Sequence, residues 1–337
     1  MPLKTPFWWD RDKSVIASLL APVAAVYGRV AASRASGVAP YRSRLPVICI
    51  GNFTAGGGGK TPTAIAVAEM LKSMGERPVF LTRGYGGTVK GPAFVEKSHD
   101  AADVGDEPLL LAAHAPAMVA ADRVAGAKAI EATDASVIVM DDGFQNPSLA
   151  KDLSLIVVDG AAGIGNGRVI PAGPLREPLA TQLTRAGALL VIGDGAKGAR
   201  VAETFARDGK PVLNARIAPD CDPRWLGVLP AIAFAGIARP AKFFSTLRNN
   251  GARLIDAHGF PDHHRFSACQ ARRLLAQAQG HNAMLVTTAK DWARLPDDDS
   301  TPQGELKHRS RPFPITIKFE DAAALKTLLR KVIKQPS

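Results

Sequence analysis

The chain has 337 residues, 46% hydrophobic and 22% charged. That balance excludes a mainly disordered polypeptide and allows one large or two ordinary domains. The formal net charge of +11 calls for an anionic partner, whether nucleic acid, acidic membrane or phosphorylated substrate. Cys49, Cys221 and Cys269 lie far apart without a CxxC pair, which argues against a disulfide framework and a cysteine-based zinc site.

Residues 15–28, VIASLLAPVAAVYG, are apolar and follow Lys4, Arg11 and Lys13, the outline of a signal peptide. The run is short for a membrane span, and Pro22 and Arg29 interrupt it. Ile16, Leu19, Leu20, Val23, Tyr27 and Val30 recur at helical spacing on one face. This predicts a helix lying on a membrane surface. Phe7, Trp8 and Trp9 would be interfacial aromatics, and the nearby basic residues would face anionic lipid. A helix docked on its own protein has the same pattern.

Apolar runs LPVICI, RPVFLT, SVIVMDD, LSLIVVD and ALLVIGD follow, bounded by Gly, Pro and Asp and separated in several places by helical stretches. Strands that read continuously apolar suit a parallel sheet covered on both faces. The expected class is α/β, a doubly wound parallel sheet. Residues 209–224 are extended and proline-rich. A second series comes next: AIAFAGI, a helix near 240–250, RLIDAHGF, a helix near 267–279 and AMLVTTA. A polar stretch, 296–311, leads to FPITIKFE and a helix near 320–334. The expected organisation is an amphipathic helix over 1–35, a nucleotide-binding domain over 36–212 and a second, smaller α/β domain over 213–337. A cleft would separate the two domains, with PVLNARI and FPITIKF paired as a two-stranded connector.

The stretch VICIGNFTAGGGGKTPTAIAVAEM places glycines 56–59, Lys60 and Thr61 between a predicted strand and a helix. The strict G-x-x-x-x-G-K-[ST] pattern fails, because its first glycine falls at Thr54. The physical requirements survive. Thr54, Ala55, Gly56, Gly57, Gly58 and Gly59 can turn backbone N–H groups toward phosphates, and the helix N-terminus points to the same place. Lys60 can reach the β- and γ-phosphates, and the Thr61 hydroxyl can ligate Mg²⁺. Asp141 and Asp142 close the strand SVIVM, where an acidic residue holds Mg²⁺ or its waters; an Asp pair capping a turn is the plainer reading. Together the two motifs indicate a P-loop NTPase-type site for a nucleoside triphosphate, with ATP as the expected one.

Five more stretches, TRGYGG (82–87), VGDEP (104–108), DDGFQN (141–146), PAGPLREP (171–178) and FPDHH (260–264), join GNFTAGGGGKTP. In order and spacing they resemble the tetraacyldisaccharide 4′-kinase family, the lipid A 4′-kinases. TAKDWARL (288–295) is also similar. The family's loop reads GN-x-x-x-GG-x-GKT, which accounts for Thr54. Gly58 stands where Thr or Ser is common, and Asn146 where His is usual.

The resemblance implies transfer of the ATP γ-phosphate, with Mg²⁺, to the 4′-hydroxyl of a tetraacylated glucosamine disaccharide 1-phosphate. It implies an enzyme on the cytoplasmic face of the inner membrane, an anionic glycolipid partner and no nucleic acid. Asp106 is then the candidate base and His263 its partner from the other domain, a pair that forms only when the cleft closes. On residue grounds alone Asp106 reads equally as a helix N-cap, and His263 and His264 as a polar loop pair. A zinc site on His258, His263 and His264 lacks familiar spacing. Lys60 and Arg176 would neutralise charge on the phosphates, and Glu177 would join Thr61, Asp141 and Asp142 at Mg²⁺. Without the resemblance, Arg176 and Glu177 read as a surface ion pair. Arg83, Tyr85, Glu107 and Arg123 are the candidates to meet the acceptor.

Two rivals remain at this level. A P-loop GTPase or metal-chaperone ATPase would use [NT]-K-x-D for guanine, but Lys290 and Asp291 are adjacent. A nucleic-acid-binding ATPase would cluster its basic residues with aromatics, but here the basic residues are scattered and aromatics are 6%.

Overall fold

The computed structural model describes residues 6–11, 13–36, 39–56 and 58–334, with the backbone alone for 34–36. Lys4 and Gly57 lie outside the described residues.

Strands form where the apolar runs predict them, and also at Ala93–Phe94, Ala117–Val119 and Ser310–Phe313, which no run marked. In chain order they are β1 (Val47–Gly51), β2 (Pro78–Thr82), β3 (Ala93–Phe94), β4 (Ala117–Val119), β5 (Val137–Asp141), β6 (Leu153–Asp159) and β7 (Ala188–Ile192). Then come β8 (Val212–Pro219), β9 (Ala231–Ala235), β10 (Leu254–Gly259), β11 (Met284–Thr288), β12 (Ser310–Phe313) and β13 (Ile315–Phe319). Every residue of β1, β2, β5, β7 and β9 is buried, as central strands of a doubly covered sheet require.

Among the described residues nine strands make one sheet, in the order β13-β8-β7-β6-β1-β5-β2-β4-β3. Its pairings are parallel except at the two ends, β8–β13 and β3–β4. Neighbouring residues on a strand face opposite sides. Ile48, Ile50, Val139 and Leu155 pack with Val67 and Leu71 of the helix Lys60–Ser73 on one side. Cys49, Ile138, Met140 and Ile156 pack with Ile130 and Phe205 on the other. This is the expected doubly wound sheet. Strands added after β1 lie on both sides of it, so its carboxyl end is a switch point, where such sheets bind ligands.

A second, all-parallel sheet, β10-β9-β11-β12, forms the small lobe. The way the chain returns from it differs from expectation. β8 and β13 do pair, antiparallel, but β8 also pairs with β7, so the connector is the edge of the large sheet. The last helix, Ala322–Lys334, buries Leu325, Leu329 and Val332 in the large sheet's core. Its apolar face therefore belongs with the large lobe rather than with the 213–337 unit. The polar stretch 296–311 holds the helix Pro302–Arg309 and the start of β12. That helix was hidden because among its hydrophobic residues only Leu306 joins a core.

At the N-terminus, a 3-10 turn, Phe7–Asp10, leads to helices Val15–Leu19 and Ala21–Ser36. Small residues face the protein: Ala17 and Ala24 are buried, and a Cβ on Gly28 would meet Pro178 at 3.4 Å. Val15, Ile16, Leu19, Val23, Val26, Tyr27 and Val30 are exposed, while Leu20 is half-buried. The helix is thus docked on its protein through small residues and turns its large apolar ones outward. The Trp8 and Trp9 indoles are tied down, each donating to Pro171 O, at 3.2 and 3.1 Å. Among the described residues no helix is long and apolar enough to cross a membrane.

Candidate active site

The loop after β1 turns directly into the helix Lys60–Ser73. Gly59 precedes the helix at φ 85°, a conformation that disfavours any side chain, and a Cβ there would press on the end of Ile192, 2.9 Å from its Cδ1. Ala55 N donates to Pro174 O at 2.8 Å, and Arg176 Nε donates to Thr54 O at 3.2 Å. The PAGPLREP segment is therefore a wall of the loop. Lys60 Nζ lies 3.5 Å from Gly56 O and 3.7 Å from Asp142 Oδ2. Arg176 grips the same carboxylate with two prongs, Nη1 to Oδ1 at 2.9 Å and Nη2 to Oδ2 at 3.2 Å. Thr61 Oγ1 donates to Asp141 Oδ2 at 3.0 Å.

These contacts decide several open readings. Arg176 is no surface ion pair with Glu177. Glu177 does not join Thr61 and Asp141 either: it is buried and its carboxylate is paired with Arg185. The backbone sends these two neighbouring side chains to different partners. Burial pushes the Glu177 carboxyl up, while Arg185 and Lys151 pull it down. Burial also raises Asp141, with the Glu107 and Asp142 charges adding to it. Asp142 goes the other way: burial opposes its charge, but Lys60 and Arg176 outweigh it.

Gly105, at φ 91°, is what lets the VGDEP segment pass under the RGYGG turn. A Cβ on it would stand 2.5 Å from Tyr85 O. Asp106 is the first residue of the helix Asp106–Ala112, with Gly105 at the cap and no side-chain cap bond. Its carboxylate is instead turned to the small lobe. His263 Nδ1 lies 3.2 Å from Asp106 Oδ1, so the pair expected across the cleft is formed. Burial opposes the Asp106 charge. The His263 hydrogen bond and the Arg294, Lys290 and His263 charges prevail, holding the carboxyl well below its usual range. The same bond raises His263. His263 sits at φ 55°, with its ring 5.5 Å from that of Tyr85.

His264 stacks on Phe260 at 4.8 Å and lies 3.0 Å from Gln270 Oε1, while His258 pairs with Asp256. Among the described residues no group of three His, Cys, Asp or Glu is placed to hold a metal, so the three histidines do not form a zinc site.

A cavity of about 1030 Å³ lies between the lobes. Gly56, Gly58, Gly59, Lys60, Thr61, Asp141, Asp142 and Arg176 line it, as do Arg83, Tyr85, Glu107, Arg123 and His263. Asp106, 4% exposed, stands behind His263 rather than on the wall. Thr54 and Ala55 border a small adjoining pocket with Trp9. Glu107 is engaged by Lys290 Nζ at 2.5 Å. Arg123 is buried, its Nη1 donating to Ala120 O and its Nε without a partner. Burial and the Arg83 charge bring its pKa down to about 10.

Residue-level reading missed Lys290, Asp291 and Arg294, although TAKDWARL was singled out. It also gave no role to Gln145, which accepts from Arg176 at 3.1 Å and donates to Asn52 O at 2.9 Å. For Lys290 and Arg294 nothing local marks the partner, because Glu107 and Asp106 lie in the other lobe.

Comparison with known proteins shows the family. Residues 16–334 match the family described as Tetraacyldisaccharide-1-P 4'-kinase (LpxK). The chain is 47% identical over 335 residues to the tetraacyldisaccharide 4'-kinase of Bradyrhizobium sp. (strain BTAi1), covering 97% of this chain and 94% of that one. It is 51% identical over 293 residues to that of Parvibaculum lavamentivorans, covering 86% and 85%. The crystal structure of LpxK from Aquifex aeolicus in complex with ATP superposes with a TM-score of 0.70 at 26% identity, over 95% of this chain and 100% of that one. The chain belongs to the tetraacyldisaccharide-1-P 4'-kinase family.

Proposed function

We propose that the chain transfers the γ-phosphate of ATP to the 4′-hydroxyl of tetraacyldisaccharide 1-phosphate in lipid A synthesis. The observation that carries this reading is that a P-loop and the His263 end of an Asp–His pair face one cavity, in a member of this kinase family.

A sugar hydroxyl is a weak nucleophile and needs a base as it attacks. The Asp106–His263 pair takes its proton, with His263 facing the acceptor and Asp106 behind it. The hydroxyl oxygen bonds to the γ-phosphorus, the bond to the β–γ bridging oxygen breaks, and ADP leaves. Lys60 and Arg176 offset the charge on the transferring group. Arg83, Tyr85, Glu107 and Arg123 meet the sugar and its 1-phosphate.

Mg²⁺ fits the pair Thr61 and Asp141, with Asp142 beside them. Asp141 Oδ1 is buried without a hydrogen-bond partner, and one or two carboxylates with substrate phosphates are the usual site for this ion. When bound, Mg²⁺ would neutralise phosphate charge.

The exposed apolar stripe of the N-terminal helices supports docking on the cytoplasmic face of the inner membrane, where ATP and an anionic lipid meet. The chain divides into the membrane-facing helices, a P-loop lobe and a small lobe that closes on it.

The test is phosphate transfer from γ-labelled ATP to tetraacyldisaccharide 1-phosphate in detergent micelles, wild type beside Lys60→Ala. Labelled lipid that falls by about 10²–10³ in the variant is expected. ATP hydrolysis with no labelled lipid would sink the acceptor assignment.

A further inference from the structure

Arg294 ends the short helix Ala289–Arg294 of the small lobe and reaches the large lobe's Asp106. Its Nε and Nη2 both donate to Asp106 Oδ2, at 3.1 and 2.5 Å. Its Nη1 donates to Asp291 Oδ1 at 2.7 Å and to Gly236 O at 2.8 Å. Asp291 is held in turn, its Oδ2 accepting the Gly236 N–H at 3.0 Å and the Thr288 hydroxyl at 2.6 Å. The Arg294, Asp106 and Asp291 side chains are 7%, 5% and 0% exposed.

This is an ordered chain of contacts with one free end. Asp291 is fixed to the backbone at the end of β9 and to the residue that ends β11. Its other oxygen orients the guanidinium. The guanidinium occupies one oxygen of Asp106 with two N–H groups, which leaves Oδ1 for His263. Arg294 does not line the cavity, and both ends of its guanidinium are already engaged, so it is not placed to grip phosphate.

We propose that Arg294, itself held by Asp291, is the positioning residue for the Asp106–His263 pair. It turns Asp106 so that Oδ1 meets His263 Nδ1. Because Arg294 and His263 come from the small lobe and Asp106 from the large one, the pair is oriented only when the lobes meet. This inference rests on the reading of the pair as the base.

A charge consequence follows. The ionisable groups around the pair are Arg294, Lys290 and Asp291 from one helix, Asp262 from the loop before His263, and Glu107 beside Asp106. Arg294 favours the deprotonated form of Asp106 and disfavours protonated His263. Without the guanidinium Asp106 holds its proton to higher pH, whereas His263, raised first by its hydrogen bond to Asp106, loses that bond as Asp106 turns away. The acid limb of turnover must therefore move, up where Asp106 takes the proton and down where His263 takes it.

The experiment compares Arg294→Gln, Arg294→Lys, Asp106→Asn and the double variant Asp106→Asn/Arg294→Gln, by labelled-lipid formation across pH. Arg294→Gln is expected to lower kcat by about 10–100-fold, within the range of general-base effects. KM for ATP stays within about twofold, and the acid limb moves by roughly one pH unit. The double variant should be no slower than Asp106→Asn alone, because residues acting through one another are not additive. Arg294→Lys keeps the charge but loses the two-pronged grip, so it should restore only part of kcat. Should Arg294→Gln fail to fold, Arg294→Lys decides, and full wild-type turnover in it would overturn the positioning role. An unmoved acid limb, or losses that add in the double variant, would also overturn it. If Asp106→Asn itself turned over normally, the base assignment would fail first. If Asp106→Asn is inactive and Arg294→Gln is normal, only the present inference fails.

Discussion

Lys242 Nζ stands 2.6 Å from Asp159 Oδ2, and Arg239 Nη1 stands 3.2 Å from the same oxygen. Asp159 ends β6, the strand beside β1, and the two cations open the helix Pro240–Asn249 of the small lobe. The lobes are therefore pinned on the phosphate-loop side as well as at Asp106. Burial opposes the Asp159 charge, but the Lys242 hydrogen bond and the two cations outweigh it. Asp159→Asn should loosen closure with little loss of fold. The lysine and arginine side chains are 44% and 45% exposed, and pairs this open to water contribute about 0–1 kcal/mol. A larger radius of gyration in solution scattering, with Tm lowered by only about 1–3 °C, is expected. Unchanged scattering would remove the latch.

Glu177 and Asp141 should part company when each is neutralised. Glu177→Gln leaves Arg185 beside a buried neutral group. It is expected to cost about 1–3 kcal/mol of stability, discounted because Arg185 is partly open to water, with the Mg²⁺ dependence of turnover unchanged. Asp141→Asn should raise the Mg²⁺ concentration needed for half-maximal turnover at least about tenfold, with little change in Tm. Magnesium titrations beside thermal melts separate the two. A raised magnesium requirement in Glu177→Gln would return Glu177 to the metal.

His263 carries a stability signature of fixed sign. Its bond to Asp106 raises its pKa above the ordinary 6.5. The stabilisation it brings is thus fully present below pH 6.5 and lost as pH rises through the raised value. Wild type and His263→Gln melted between about pH 5 and pH 9 should differ most at the acid end. A gap that widened with rising pH would contradict the pairing.

The N-terminal stripe makes a prediction about surfaces. Leu19 and Val26 are 75% and 61% exposed, so Leu19→Glu with Val26→Glu should leave Tm unchanged. Each side chain sunk into a bilayer contributes about 1.5–3 kcal/mol. Co-sedimentation with anionic phospholipid vesicles should therefore fall by more than about tenfold. Equal sedimentation of variant and wild type would leave the helices as a packing element only.

The sequence by itself determined what depends on neighbours in the chain. The phosphate loop was legible because strand, glycines, Lys60 and helix are contiguous, and their backbone needs are local. Buried strands were legible because a doubly covered sheet demands unbroken apolar runs. The Asp106–His263 pair became legible only through family resemblance, since the residues themselves read equally as a cap and a loop. Tertiary structure decided the rest. Arg294 and Asp106 are 188 positions apart, and no periodicity joins them. Glu177 follows Arg176 directly, yet their side chains diverge because the backbone turn, not adjacency, sets direction. The last helix packs its Leu325, Leu329 and Val332 on one face of the large sheet, a surface that exists only once the chain has folded.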